Sequence, residues 1–251
     1  MDGMTRPWGN RPMNPWAGAM ARRASRGNLG WGCDVFAAQI GAIKRGRLRF
    51  TNGAHEAVIC ADPDVWGLYR AHFSDRMPTV SVDGGDVTVS YPRRRGCYWP
   101  DYWAGHPAEV TLNTRIPWSV EIHGGATRIA ADLRGLRLRT IDVDGGAGRL
   151  EVTLPAPEGT VVVAIAGGAS NVAILRPEGV AARLRVDGGV THLRFDEKRI
   201  GAAGGELDLR NSDYDHAKNR YEVSIVGGAN NVGVCATDRP GVEPCEDRRG
   251  T

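Results

Sequence analysis

No apolar run in this chain approaches the roughly 20 residues that a membrane-crossing helix needs. The first thirty residues hold no apolar signal core, because Pro7, Pro12, Pro15 and several arginines interrupt them. The expected compartment is therefore the cytoplasm. No Cys-x-x-Cys occurs, and Cys33, Cys60, Cys97, Cys235 and Cys245 are odd in number and scattered. With no histidine pair at ligand spacing beside them, no metal site is expected, and reduced thiols are the simpler reading. Phosphate-cradling, dinucleotide, Gly-x-Ser-x-Gly and His-Glu-x-x-His patterns are all missing, so neither a cofactor nor catalytic residues are expected.

Helical periodicity is also scarce. In its place stands a recurring unit: an alternating apolar strand, a glycine pair, and a second alternating strand. It reads Val120-Glu121-Ile122-His123-Gly124-Gly125-Ala126, then Ile141-Asp142-Val143-Asp144-Gly145-Gly146-Ala147, then Val163-Ala164-Ile165-Ala166-Gly167-Gly168-Ala169. Leu184-Arg185-Val186-Asp187-Gly188-Gly189-Val190 and Val223-Ser224-Ile225-Val226-Gly227-Gly228-Ala229 follow. The steps from Gly124 through Gly145 and Gly167 to Gly188 are 21, 22 and 21 residues. A unit of this length cannot bury its own apolar face, but stacked units can. A β-sandwich also alternates, yet it does not need the same glycine corner at one phase of every unit. The expected fold is all-β: a right-handed single-stranded β-helix, or β-solenoid, with one short capping α-helix.

The copies ending Gly-Gly-Ala-Ser-Asn-Val-x-Ile resemble a bacterial β-strand-repeat family labelled putative adhesin, related to toastrack-type domains of cell-envelope stress proteins. The resemblance runs from about Gly46 to Val234 and is closest from Trp118 onward. It implies a β-helix with no catalytic residues to carry over, and a link to envelope-stress signalling. The envelope members carry a transmembrane segment that is not seen here.

Taken in order, residues 1–30 form a Pro/Gly/Arg/Trp-rich leader expected to be disordered, 31–235 the solenoid, and 236–251 a disordered tail. Residues 1–50 carry nine Lys/Arg against Asp2 and Asp34, a net +7, and the remainder carries −4. The basic leader suits an anionic membrane surface, although it has no nucleic-acid motif. Cys33 to Ile43 fits either a helix or an opening strand. Asp62 to Phe73 carries N-cap and first-turn signals in Asp62-Pro63 and is expected as the capping helix, with Val65, Trp66, Leu68, Tyr69 and Phe73 on one face. Thr79 to Tyr91, with Gly84-Gly85, reads as another repeat corner.

The insertion at 92–107 supplies the expected binding surface: Arg93, Arg94, Arg95, Tyr98, Trp99, Tyr102 and Trp103, arginines beside aromatics on a loop. Aligned corners place Asp83, His123, Asp144 and Asp187 in one column, which invites calcium or paired acid–base chemistry. Ala166 and Val226 interrupt it, and Asp before Gly is ordinary turn chemistry. Ser170-Asn171 and Asn230-Asn231 read as buried polar ladders, His192 as solvent-facing, and Asp213, Asp215 and His216 as a loop cluster. The expected function is a non-enzymatic interaction module with an unknown protein partner. The alternatives are a polymerising scaffold and a carbohydrate-active β-helix enzyme.

Overall fold

The structure is a computed structural model that describes residues 34–73, 78–91 and 108–237. Among the described residues there is no helix, and the strands number nineteen. They are β1 (Asp34–Ala38), β2 (Gly46–Thr51), β3 (Ala54–Asp62), β4 (Tyr69–Phe73), β5 (Thr79–Asp83), β6 (Asp86–Ser90) and β7 (Ala108–Asn113). Then come β8 (Pro117–His123), β9 (Ala126–Asp132), β10 (Arg137–Asp144), β11 (Ala147–Thr153), β12 (Thr160–Ala166) and β13 (Ala169–Pro177). The last are β14 (Ala181–Asp187), β15 (Val190–Phe195), β16 (Lys198–Ala203), β17 (Glu206–Arg210), β18 (Arg220–Val226) and β19 (Ala229–Thr237).

Each repeat contributes one strand to each of two sheets. Sheet A runs β1-β4-β7-β3-β9-β11-β13-β19-β15-β16, and sheet B runs β17-β14-β18-β12-β10-β8-β2-β6-β5. The alternation in the sequence becomes columns of identical chemistry. Val120, Ile141, Val163, Val223 and Leu184 lie in register on the inner face of sheet B. Ile129, Leu150, Val172, Val232 and Leu193 do the same on sheet A. All ten are buried in one continuous core. Burying such a side chain is worth about 1.5–3 kcal/mol, so the columns are the main source of stability.

Gly145 shows why the corners are glycine. Its φ is +97°, and an added Cβ would lie 2.7 Å from the Gly125 amide nitrogen of the neighbouring layer. The corners hydrogen-bond to one another as well, Gly124 N and Gly125 N donating to Asp144 O at 3.0 and 2.8 Å, and Gly146 N to Ala166 O at 2.7 Å. The repeat is thus a demand of stacking, in which backbone meets backbone with no room for a side chain.

The spatial order of the rungs departs from the chain order at both ends. The β18–β19 rung lies between β12–β13 and β14–β15. At the other end the β2–β3 rung lies between β8–β9 and β6–β7. The seven parallel strands of each sheet are then closed by antiparallel ones: β17 and β5 on sheet B, β16 and the β4–β1 pair on sheet A. Edge strands with charges on them, such as Glu206, Asp208 and Arg210 on β17, discourage pairing with further chains.

Two expectations are corrected here, and one alternative left open is decided. Residues 62–73 are a turn followed by β4, and no capping helix forms. Asp62 does accept a backbone bond, from Asp64 N at 2.8 Å, but as an Asx turn. Tyr69, Ala71 and Phe73 alternate inward as a strand, while Trp66 stands 97 % exposed. Gly84-Gly85 is a two-residue hairpin turn between antiparallel β5 and β6, so Asp83 belongs to an edge hairpin and leaves the expected column. The stretch at 33–43, open between a helix and an opening strand, contains strand β1 at Asp34–Ala38, paired with β4.

Candidate interaction surface

The outward residues of sheet B form a face that is charged on most of its strands, with one uncharged strip along β12. At one end Glu121 accepts from Arg49 Nε at 2.8 Å, faces Arg47 Nε at 3.2 Å, and lies 3.5 Å from His123 Nε2. Partial burial opposes its ionisation, but the Arg49 hydrogen bond and charge, with Arg47 and His123, hold the carboxyl below its ordinary value. At the other end Arg183 grips Asp208 through Nε at 2.8 Å and through its terminal nitrogen. That hydrogen bond, opposed by some desolvation and helped by the nearby arginine charges, holds Asp208 down. Arg185 lies 3.4 Å from Glu206. Between them Thr160, Val162, Ala164 and Ala166 of β12 carry no charge, and Arg220, Glu222, Ser224 and Val226 of β18 lie beside them in that order. Exposed ion pairs contribute only about 0–1 kcal/mol each to stability. Their consequence is a patterned surface, more than a tighter fold.

Few of the expected chemical residues meet. His123 Nδ1 is 3.9 Å from Asp144 Oδ2. Asp187, however, is separated from Asp144 by Ala166 and Val226 in the register. At about 4.8 Å per layer that gap is roughly 14 Å. Among the described residues no group of three His, Cys, Asp or Glu is placed to hold a metal ion. Asp215 is paired with Arg210 at 2.9 Å. Asn231 Nδ2 donates to Asn171 Oδ1 at 2.8 Å, so the asparagine ladder exists, but it is exposed and both residues are left-handed, at φ +54° and +51°. His192, at φ +52°, is exposed in the same column as expected. Beside it an open groove of about 670 Å³ is lined by Ser170, Thr191 and Asn230 over glycine and alanine.

Burial first, then the charges of Asp132, Glu109 and Asp62, push the Cys60 thiol up to about 11, which makes it a poor nucleophile. Cys235 is disulfide-bonded, which corrects the expectation of reduced thiols throughout. Arg93, Arg94, Arg95, Tyr98, Trp99, Tyr102 and Trp103 also lie outside the described residues.

The sequence reading missed two features. One is a polar cluster under the last rungs. Arg176, 3 % exposed, bonds Asp196 at 2.5 Å, and Asn211 Nδ2 bonds the same carboxylate at 2.7 Å. No motif announces it. The other is the exposed Trp66, whose Asp-Pro-Asp turn chemistry was visible in the sequence and was read as a helix cap.

This arrangement defines a class: a two-sheet β-solenoid with in-register polar residues on its outward faces. Residues 70–175 match the family model of the N-terminal domain of toast_rack. A solved structure described as a putative cell adhesion protein from Clostridium sporogenes ATCC 15579 is similar with a TM-score of 0.62 at 16% identity, over 82% of this chain and 99% of that one. No curated protein matches. The resemblance to toastrack-related β-strand-repeat proteins thus holds over residues 70–175, and the fold matches that solved structure over most of the chain.

Proposed function

We propose that the protein is a non-enzymatic interaction module that holds flat polar faces rigid for a protein partner, linked to cell-envelope stress signalling. The observation that carries this reading is the outward face of sheet B, charged on most of its strands around one uncharged strip and braced by the rung stack behind it. The toast_rack match and the adhesion description of the structural neighbour support it. The interrupted Asp144–Asp187 column weighs against a carbohydrate-active enzyme. The antiparallel strands closing both sheets weigh against an end-to-end scaffold. A right-handed winding is the reading consistent with the handedness of parallel crossovers.

The loop bearing Arg93, Arg94, Arg95 and Trp99 is proposed as a second contact. The cytoplasmic location stands as a proposal, and the disulfide at Cys235 weighs against it, since such bonds persist in oxidising compartments. Photo-crosslinking residues at Ala164 and Val226 test the module in cells. A discrete crosslinked protein, lost on Arg49→Glu with Arg185→Glu, is the expected result. A smear unaffected by those changes refutes the sheet face, and full capture after loss of Arg93, Arg94, Arg95 and Trp99 refutes the loop.

A further inference from the structure

The edge opposite the glycine corners carries a patch that the proposed sheet face does not use. Trp66, 97 % exposed, sits on a turn that is fixed from beneath. Asn113, 1 % exposed, donates through Nδ2 to Val65 O at 3.0 Å and to Gly67 O at 2.6 Å. Asn113 N donates to Leu68 O, Leu68 N to Ala38 O, and Val65 and Leu68 are buried on either side of the tryptophan. A turn built this firmly presents a large aromatic ring to solvent, where its apolar area costs free energy unless something covers it.

The neighbouring turns along the same edge bring arginines. Arg115 N donates to Asn113 Oδ1 at 2.8 Å, so the Arg115 turn adjoins that of Trp66. Arg137 donates to Arg115 O, and Gly135 packs against Thr114 and Ala61, which stacks the next turn, bearing Arg134, on this one. The register of β10 on β8 slips between Leu138 and Thr140. The extra residue of that bulge is Arg139, and it is exposed; bulges re-aim a side chain in this way. Arg134 is neutralised by Asp132 at 2.5 Å. Arg115, Arg137 and Arg139 have no ion pair among the described residues, and Asp62 and Asp64 in the tryptophan's own turn are the acidic neighbours. The positive row stops at Glu158 and Glu178 on the turns beyond.

We infer that this edge docks on an anionic phospholipid bilayer, with Trp66 entering the headgroup layer and Arg115, Arg137 and Arg139 facing lipid phosphates. The match is one of charge and shape. An amphipathic indole is suited to the interface, arginines suit phosphate, and a row of exposed turns suits a deformable surface. The inference rests on the interaction-module reading and names a further partner for it. Crosslinks at Ala164 and Val226 read the sheet face and vesicles read the edge, so either can fail alone.

The test is co-sedimentation of the full chain with phosphatidylcholine vesicles, with and without phosphatidylserine, at low and high salt. Expected is binding to the anionic vesicles alone, weakened by salt. Trp66→Ser weakens it about tenfold, and Arg115→Gln with Arg139→Gln about thirtyfold, at the usual contribution of an arginine near such a surface. All three side chains are exposed, so circular dichroism of the variants stays that of the parent. Equal binding to neutral vesicles overturns the inference. So does unchanged binding by both variants, with loss only on neutralising Arg22, Arg23 and Arg26, which assigns the membrane to the leader. Binding to polyglutamate without binding to vesicles also overturns it, in favour of an acidic protein.

Discussion

Gly145→Ala is the sharpest perturbation of the stack. Two costs add at this residue. Its φ of +97° lies in a region that side chains avoid, at about 1–3 kcal/mol. The new Cβ would also lie 2.7 Å from Gly125 N and 3.0 Å from Gly124 C. Those atoms are backbone, so relief requires two layers to part, at the roughly 1–3 kcal/mol of an overpacked core. The sum is about 2–6 kcal/mol, a large share of the roughly 5–15 kcal/mol that holds most domains. Gly179→Ala is the control, because its φ is +73° and nothing lies within 4 Å of the added atom. Only the conformational cost applies there, about 1–2 kcal/mol. Urea unfolding of both variants gives the comparison. Equal losses within about 0.5 kcal/mol would refute the claim that corner glycines are fixed by contact between layers.

Arg176→Ala strips the partner from Asp196 beneath the last rungs and is expected to cost about 3 kcal/mol by thermal or chemical unfolding. Tyr221→Phe removes the bond from its buried hydroxyl to Pro155 O at 2.7 Å and costs about 1–2 kcal/mol. Burial raises the Cys60 thiol from 9.0 to about 11 and also raises Tyr221 above its ordinary 10.0. The folded state therefore holds these protons more tightly than the unfolded chain, and the stability they carry is complete below pH 9 and lost as pH rises through the shifted values. Unfolding midpoints should fall on the alkaline side, and Cys60→Ala should flatten the first part of that fall. His192→Asn, at φ +52°, should stabilise by about 0.5 kcal/mol in the same assay, because asparagine tolerates that conformation better.

The glycine corners, the alternating strands and the parallel stack were legible because each is a local pattern with one physical cause. Rung order was not. The rung of Val186 and that of Ile225 have the same pattern, and nothing local says that the second lies between the first and the rung of Ile165. Gly84-Gly85 misled for a related reason: one dipeptide serves both a solenoid corner and a hairpin turn, and the choice depends on where the next strand pairs. Asp62-Pro63 misled because an Asx turn and a helix N-cap make the same first hydrogen bond. At the surface, Arg49, Glu121 and Asp208 could be assigned outward from alternation alone. Their pairing across the sheet needed the register, as did the buried meeting of Arg176, Asp196 and Asn211 from three separated stretches.

The most direct test of the account is disulfide crosslinking on the outward face of sheet B, with cysteines at Ala164, Ser224 and Arg185 in pairs. The register sets Ala164 beside Ser224 and Ser224 beside Arg185. Neighbouring strands lie about 4.8 Å apart, within disulfide reach, whereas two layers are roughly 9–10 Å. Oxidation followed by peptide mapping should link residues 164 with 224 and 224 with 185, and should leave 164 and 185 unlinked. A link between 164 and 185 would place the rungs in chain order. It would contradict the wedged last rung and the surface built upon it.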